Sequence, residues 1–170
     1  MDEQRKDTGG AAEGTMDRSG FLKVLGAGLG AAGVGSLLGG QAFADVEKKG
    51  KYVIVVTHGG DDPNRAIFAL LMAQVVAKKG WGQLHVWMTL AGADLAHVDK
   101  TARVESPIFK KFGNALEIME DVRKRGATFG VCPPCAEYSG AVDDKKHPWV
   151  KNAGGDWLME NIQGAWVLWM

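Results

Sequence analysis

The sequence has little cysteine and no excess charge, and both shortages limit what the protein can do. Its 170 residues include two cysteines and four histidines, and the histidines are not spaced as a second pair of metal ligands. A structural zinc ion needs about four ligands, so no metal site is expected and no cofactor is implied. Twenty basic residues balance twenty acidic ones. Because nucleic-acid-binding proteins usually carry a basic patch and a high pI, nucleic acid is not an expected partner.

The remaining composition is ordinary for a globular protein. Hydrophobic residues make up 46% of the chain and charged residues 24%, which argues against both an intrinsically disordered chain and a protein with many membrane spans. A chain of this length usually forms one domain. Glycine is the exception, because 24 glycines are unevenly distributed along the sequence.

The first 44 residues have the pattern of an export signal. Residues 1–20 are polar. Residues 21–40 are mostly apolar, with the basic residue Lys23 near their start, and a small-x-small triplet follows at 42–44. This order is typical of a signal peptide. Cleavage after Ala44 would leave a domain of residues 45–170, located in the periplasm and free of the membrane. The alternative is a retained anchor, since the stretch is long enough to span a bilayer, although its glycines disfavour a helix.

The same segment resembles a twin-arginine export signal at residues 17–23, although Ser19 stands where such signals have their second arginine. The route of export therefore stays open between the twin-arginine and general secretory pathways. A G-x-G-x-x-G match occurs at residues 28–33. That motif binds dinucleotides only between a strand and a helix. No strand pattern precedes it here, so a dinucleotide site is excluded.

From Tyr52 onward, short apolar runs alternate with helical patterns. Such alternation indicates βαβ units. The predicted fold is therefore α/β, with a small, mostly parallel sheet flanked by helices. Strands are predicted at 52–57, 84–90 and 127–131, with an edge strand near 149–150 and a final apolar run at 165–170. Helices are predicted at 64–79, 114–125, from about Pro133, and at 157–162 behind Asp156 as cap, with a short helix and loop in 91–107.

The two cysteines form a Cys-Pro-Pro-Cys motif, Cys132 to Cys135, where the third predicted strand meets a helix. Ligands and reactive groups collect at this edge of open α/β sheets. Near the N-cap of that helix, Cys132 would face the positive end of the helix dipole. We therefore expect a lowered pKa for its thiol and a nucleophilic thiolate. The motif predicts thiol chemistry at Cys132 and Cys135.

Other interpretations of this motif remain open. A structural disulfide would close only a short loop and would add little stability, and a free cysteine is often simply buried. A Cys-x-x-Cys motif near βαβ elements is also typical of thioredoxins. In that fold the motif follows an early strand, whereas here it follows the third. The position therefore argues against a thioredoxin.

Several segments, in their order along the chain, resemble the DsrE/TusD-like sulfur-relay family, which has the three-layer DsrE/F-like fold. The resemblance covers residues 50–170. Its elements are a Gly-Asp-Asp-Pro-x-Arg-Ala turn at 60–66, Ala-Gly-Ala at 91–93, Arg-Gly at 125–126, Val-Cys at 131–132 and Gly-Ala at 164–165.

The resemblance implies a sulfur carrier or sulfurtransferase that assembles into homo-oligomers, such as trimers or hexamers. Cys132 would hold sulfane sulfur as a persulfide, and Cys135 would resolve it. The partners would be sulfur donor and acceptor proteins or small thiols. Gly60, Asp61 and Asp62 become candidate pocket residues, although the aspartates are also expected to cap the following helix. A thiol–disulfide oxidoreductase and a non-catalytic module are the competing functions.

Overall fold

The computed structural model describes residues 50–170. The predicted signal peptide, its cleavage after Ala44 and the first residues of the predicted domain lie outside the described residues. Five strands form one sheet in the order β4-β3-β2-β1-β5, and every neighbouring pair is parallel. The predicted α/β fold is confirmed, with a sheet that is entirely parallel. The strands are β1 (Gly50–Val56), β2 (Gly82–Met88), β3 (Thr128–Val131), β4 (Val150–Asn152) and β5 (Trp166–Trp169).

Helical segments connect these strands. Within residues 50–170, no helix is long and apolar enough to cross a membrane. The α-helices are α1 (Pro63–Lys79), α2 (Val98–Thr101), α3 (Ala115–Lys124), α4 (Pro133–Ser139) and α5 (Gly155–Ile162), with 3-10 turns at Leu90–Ala96, Lys110–Phe112 and Asp143–Lys145.

The central strand β1 contributes to a hydrophobic core on each face of the sheet. Ile54 and Val56 belong to the larger core, together with residues of α1 and α3. Val53 and Val55 belong to the smaller core, together with Leu158 of α5. Strands β1 to β4 are added one after another in the same direction across the sheet. The chain then returns past β1, and β5 pairs with the other edge of β1. Because parallel crossovers are right-handed, this reversal places α5 on the opposite face and completes three layers.

The ends of α1 follow directly from its sequence. Asp62 is the N-cap, and its side chain accepts a hydrogen bond from the Arg65 N–H at 3.1 Å. Pro63 occupies the first turn, where its missing N–H leaves no hydrogen bond unmade. Gly80 ends the helix with a left-handed backbone, φ 61°. The predicted capping of this helix is confirmed, and Asp62 rather than Asp61 is the cap.

Two sequence predictions in this domain are wrong in detail. The predicted cap Asp156 lies inside the first turn of α5, because the extended backbone of Gly154 enters the helix earlier and makes Gly154 the N-cap. Strand β2 ends at Met88, not at residue 90. Leu90 has φ 52°, which is incompatible with a strand and turns the chain sharply at this point.

Strand β5, at one edge of the sheet, has an unusually exposed apolar surface. Trp166 and Trp169 are exposed, as is Leu168 between them. Phe68 and Val75, one turn and three turns into α1, are exposed as well. Clusters of exposed apolar side chains are a common feature of protein interfaces. Self-association into a trimer or hexamer stays a prediction.

Candidate thiol site

The candidate site lies where three neighbouring strands end. The carboxyl ends of β1, β2 and β3 are adjacent in the sheet, and backbone hydrogen bonds tie the segments that follow them. The Cys132 N–H donates to the Met88 carbonyl at 2.9 Å, and the Thr89 N–H donates to the Val56 carbonyl at 3.0 Å. The Gly92 N–H donates to the Thr57 carbonyl at 3.0 Å. These bonds hold the turn after β2 directly beside the cysteine motif.

Cys132 occupies the N-cap of α4, as predicted, and its thiol is partly exposed. The side chain packs against the smaller hydrophobic core. Its sulfur lies 3.0 Å from the sulfur of Cys135, and the two thiols share a hydrogen bond. Both cysteines are free thiols. The two sulfur atoms therefore act as one coupled site.

The expected ionisation of Cys132 is wrong. Burial and then the hydrogen bond with Cys135 raise the pKa of the Cys132 thiol above its ordinary value. An N-cap side chain normally accepts from the N–H groups at the second or third helical position. Pro133 and Pro134 fill the first two positions and carry no N–H, and the Cys132 side chain makes no capping hydrogen bond. The two prolines thus remove two of the amides that could have stabilised this thiolate. The Cys135 N–H and the Thr89 hydroxyl still favour it, but burial and the Cys135 thiol outweigh them.

Cys135 has the hydrogen bonds that Cys132 lacks. The Leu90 N–H donates to its sulfur at 3.2 Å, and the Thr89 hydroxyl lies 3.5 Å away. When Cys135 is ionised, the Cys132 thiol is a third donor at 3.0 Å. Burial opposes ionisation, but the hydrogen bonds from Thr89, Cys132 and Leu90 together lower the pKa of Cys135 below its ordinary value. Cys135 is therefore the more acidic thiol of the pair.

The turn that supplies these donors has a strained backbone. Leu90 adopts φ 52°, in the left-handed region that non-glycine residues rarely occupy. Such a conformation costs on the order of 1–3 kcal/mol, and it persists where the surrounding structure fixes it, often at functional sites. Here it directs the Leu90 N–H at the Cys135 sulfur while the leucine side chain is 65% exposed.

This difference in acidity predicts a measurable order of reactivity. In a Cys132→Ser variant, where the introduced serine still offers a hydroxyl donor, alkylation of Cys135 by iodoacetamide should rise at a lower pH than alkylation of Cys132 in a Cys135→Ser variant. The reason is that only the thiolate reacts, and the pKa of Cys135 is lowered while that of Cys132 is raised. Mass spectrometry across a pH series measures both profiles. The opposite order, or two superimposed profiles, would contradict the assignment.

A cavity of about 500 Å³ opens beside Cys135. Its charged residues neutralise each other, because Lys100 Nζ lies 2.6 Å from Asp94 Oδ1 and also donates to the Ser139 carbonyl at 2.8 Å. Cys132 is not among the lining residues. The residues that line this cavity are Leu90, Ala91, Asp94, Lys100, Pro134, Cys135, Tyr138 and Ser139.

The predicted pocket residues Gly60, Asp61 and Asp62 lie at the same edge of the sheet but do not line this cavity. Asp61 accepts hydrogen bonds from the Gly59 N–H and from His58 Nδ1, both at 2.7 Å. Burial opposes ionisation of Asp61, yet these bonds outweigh it and lower the pKa of the carboxyl.

Their neighbour His58 lines a second cavity, of about 440 Å³, at the end of β1 and β5. The structure therefore brings Cys132 and Cys135 together. Gly60 adjoins the Cys135 cavity without lining it, since a Cβ at Gly60 would lie 3.9 Å from Oδ2 of the lining residue Asp94. The role of the predicted pocket residues in substrate binding stays a prediction.

Sequence reasoning missed four residues of the site: Thr89, Leu90, Asp94 and Lys100. Thr89 lies near the end of the strand predicted at 84–90, and a polar residue there is a weak signal for this edge of the sheet. Nothing in the sequence indicates the left-handed backbone of Leu90. Within residues 50–170, no group of three or more histidine, cysteine or acidic side chains is arranged to hold a metal ion.

Comparison with known proteins supports the fold. No protein-family model matches the sequence, and no curated protein is significantly similar to it. Among solved structures, the chain is similar to the crystal structure of the YchN protein from E. coli, with a TM-score of 0.58 and 16% sequence identity. The match covers 71% of this chain and 99% of that one. At this identity the likeness shows the fold alone.

Proposed function

We propose that this protein is a sulfur carrier of the sulfur-relay type, which holds sulfane sulfur as a persulfide on its Cys132–Cys135 pair. The observation that carries the proposal is the pair of free thiols 3.0 Å apart at the carboxyl edge of the sheet. One of the two has a lowered pKa and borders an open cavity. The parallel α/β sheet that the DsrE/TusD-like resemblance implies is the sheet found, which supports the same class of function.

The chemistry needs only a thiolate, a sulfur donor and a sulfur acceptor. A protein thiolate attacks the outer sulfur of a donor persulfide, a new S–S bond forms, and the donor leaves as its own thiolate. The acceptor thiolate later repeats the step on the protein persulfide. Neither step changes the overall oxidation state, so no further oxidant or reductant enters. The protein must therefore stabilise the attacking thiolate near neutral pH.

The proposal predicts uptake of one sulfur atom per chain. The reduced full-length protein is incubated with cysteine persulfide, separated from the donor and measured by intact mass. A gain of one sulfur, reversed by a small thiol acceptor, is expected. The double variant Cys132→Ser/Cys135→Ser, which keeps the fold but has no thiol, should gain nothing. A wild-type protein that takes up no sulfur from any persulfide donor, small or carried on a protein, would overturn the proposal.

A thiol–disulfide oxidoreductase is the second candidate, and the contact between the two thiols favours it specifically. Two cysteines this close can exchange between dithiol and disulfide with small side-chain movements. This function requires both cysteines for turnover of a disulfide substrate. Sulfur carriage requires only the residue that holds the persulfide. Activity that vanishes in either single serine variant would therefore favour the oxidoreductase.

A further inference from the structure

The geometry points to Cys135, rather than Cys132, as the residue that accepts sulfur, from a persulfide of low molecular weight that enters the cavity beside it. This inference rests on the proposed sulfur-carrier function and specifies its site. Thr89 and the Leu90 amide act as positioning groups for the Cys135 thiolate. Cys132 is then the neighbouring thiol that donates a hydrogen bond to it.

Three polar contacts of different kinds converge on the Cys135 sulfur. The Leu90 N–H donates to it at 3.2 Å and the Thr89 hydroxyl lies 3.5 Å away. The Cys132 sulfur, which accepts from the neutral Cys135 thiol at 3.0 Å, can donate in turn once Cys135 is ionised. Hydrogen bonds to the charged form of a group favour that form. Cys132 also has donors, the Cys135 N–H and the Thr89 hydroxyl, but burial and the neighbouring Cys135 thiol outweigh them and raise the pKa of Cys132. The negative charge of the pair is therefore best held on Cys135.

Backbone hydrogen bonds to the sheet hold Thr89 and Leu90 in place. The Thr89 N–H is bonded to the Val56 carbonyl, and the Thr89 side chain is only 7% exposed. The Gly92 N–H donates to the carbonyls of Thr57 and Thr89, which closes the turn around Leu90. The donors thus remain in place before and after the sulfur arrives, as preorganised stabilisation of a charged group requires.

Access also distinguishes the two thiols. Both cysteines pack against a hydrophobic core, Cys135 against the larger and Cys132 against the smaller, but only Cys135 of the two lines the cavity of about 500 Å³. Cavities of 300–1,000 Å³ are the usual size for small-molecule ligands. Tyr138, which also lines this cavity, is 96% exposed and does not cover the cavity's opening. A small donor can therefore reach Cys135 without moving the backbone.

The charge of the cavity limits which sulfur donors can bind in it. Lys100 is paired with Asp94, so the described lining residues supply no free cation, and the Cys135 thiolate adds one negative charge. Much of the remaining lining is apolar, from Leu90, Ala91 and Pro134. An inorganic dianion would find no countercharge there. The protonated form of an organic persulfide, R–S–SH, has no charge on its sulfur atoms, and its carbon side can pack against this apolar lining.

The transfer conserves atoms and charge. The Cys135 thiolate attacks the outer sulfur of R–S–SH, the bond between Cys135 Sγ and that sulfur forms, and the S–S bond of the donor breaks. The products are Cys135–S–SH and R–S⁻, so the proton stays on the transferred sulfur and the charge leaves with the donor. The Cys132 thiol, held protonated by its raised pKa, stays available as a donor.

The first test compares single variants of the full-length protein. Cysteine persulfide is the probe, and sulfur uptake is measured by intact mass and located by peptide mapping. Cys132→Ser should retain uptake within about threefold of wild type, because the serine hydroxyl replaces the thiol donor, while Cys135→Ser should lose it. Uptake that survives in Cys135→Ser and is lost in Cys132→Ser would overturn the inference but leave sulfur carriage intact. No uptake by the wild type from any donor would instead overturn the proposed function.

The same measurement distinguishes a sulfur donor of low molecular weight from a persulfide carried on a protein. Wild-type uptake from a persulfide carried on a folded protein, with none from cysteine persulfide, would overturn the assignment of a small donor. Uptake from cysteine persulfide that saturates with donor concentration would support a bound complex in the cavity.

The second test concerns Thr89 as a positioning residue. In the Cys132→Ser background, Thr89→Val keeps the side-chain shape but removes the hydroxyl. We expect the pH profile of Cys135 alkylation to move to higher pH and sulfur uptake at pH 7 to fall by about threefold to tenfold, as for loss of one ordinary hydrogen bond. Thr89→Ser should restore both. An unchanged pH profile in Thr89→Val would remove Thr89 from the site.

Discussion

Replacing Gly92 with alanine is expected to destabilise the domain and to disable Cys135 at the same time. A Cβ at this position would lie 2.2 Å from the Val56 carbonyl oxygen and 2.8 Å from its carbonyl carbon. Both atoms belong to the backbone of β1, so no flexible side chain can move aside. The turn after β2 must shift away from the sheet. We expect a loss on the order of 2–4 kcal/mol in the free energy of unfolding, as for an overpacked core position.

The functional effect follows because Gly92 closes the turn that carries Leu90. When the turn moves, the Leu90 N–H leaves the Cys135 sulfur, which it reaches at 3.2 Å in the native structure. Urea denaturation measures the stability, and the pH profile of Cys135 alkylation measures the site. Both should change in Gly92→Ala, with the alkylation profile moving to higher pH.

A second glycine offers a matched control. Gly155 is the first residue of α5, and a Cβ there would meet no atom within 4 Å. Alanine in a helix costs less backbone entropy than glycine, so Gly155→Ala should be neutral or stabilising by up to about 1 kcal/mol. Its alkylation profile should match wild type. If both variants unfold at the same urea concentration, the packing argument for Gly92 is wrong.

The fold was predictable because local signals and global architecture agree. The β-branched run of β1 is buried on both faces of the sheet, as continuous apolar strands in parallel sheets are. Asp62, Pro63 and Gly80 mark the ends of α1 by mechanisms that act within a few residues. The error at Asp156 arose because glycine caps a helix through its backbone alone, which leaves no side-chain signal in the sequence.

The position of the site was predictable from the sequence, but the relative acidity of its two thiols was not. The sequence located Cys132 and Cys135 at a strand end, and the structure places them there in contact. It predicted a lowered pKa for Cys132 rather than Cys135, because the contacts that favour Cys135 come from Thr89 and Leu90, more than forty residues earlier in the chain. One local clue was present. Two prolines at the start of a helix remove amide donors, and this argues against a stabilised thiolate on the preceding residue.

Oxidising the cysteine pair is expected to lower the initial rate of sulfur uptake at least about tenfold, because a disulfide leaves no thiolate at Cys135. The two sulfur atoms are 3.0 Å apart, so a mild oxidant should give an intramolecular bond, seen as the loss of two hydrogens by intact mass. After removal of the oxidant, uptake from cysteine persulfide is measured. Dithiothreitol, added and then removed, should restore the original rate.

The control for this experiment is Cys132→Ser, treated in the same way at low protein concentration. It has no intramolecular partner for Cys135 and should keep most of its uptake. An oxidised wild type that still takes up sulfur at the original rate would show that Cys135 is not the attacking group. If instead the oxidised protein transfers its disulfide to dithiol substrates in repeated turnovers, the oxidoreductase function is favoured. In an oxidising compartment thiols tend to form disulfides, so a sulfur carrier exported there would depend on a partner that keeps these two cysteines reduced.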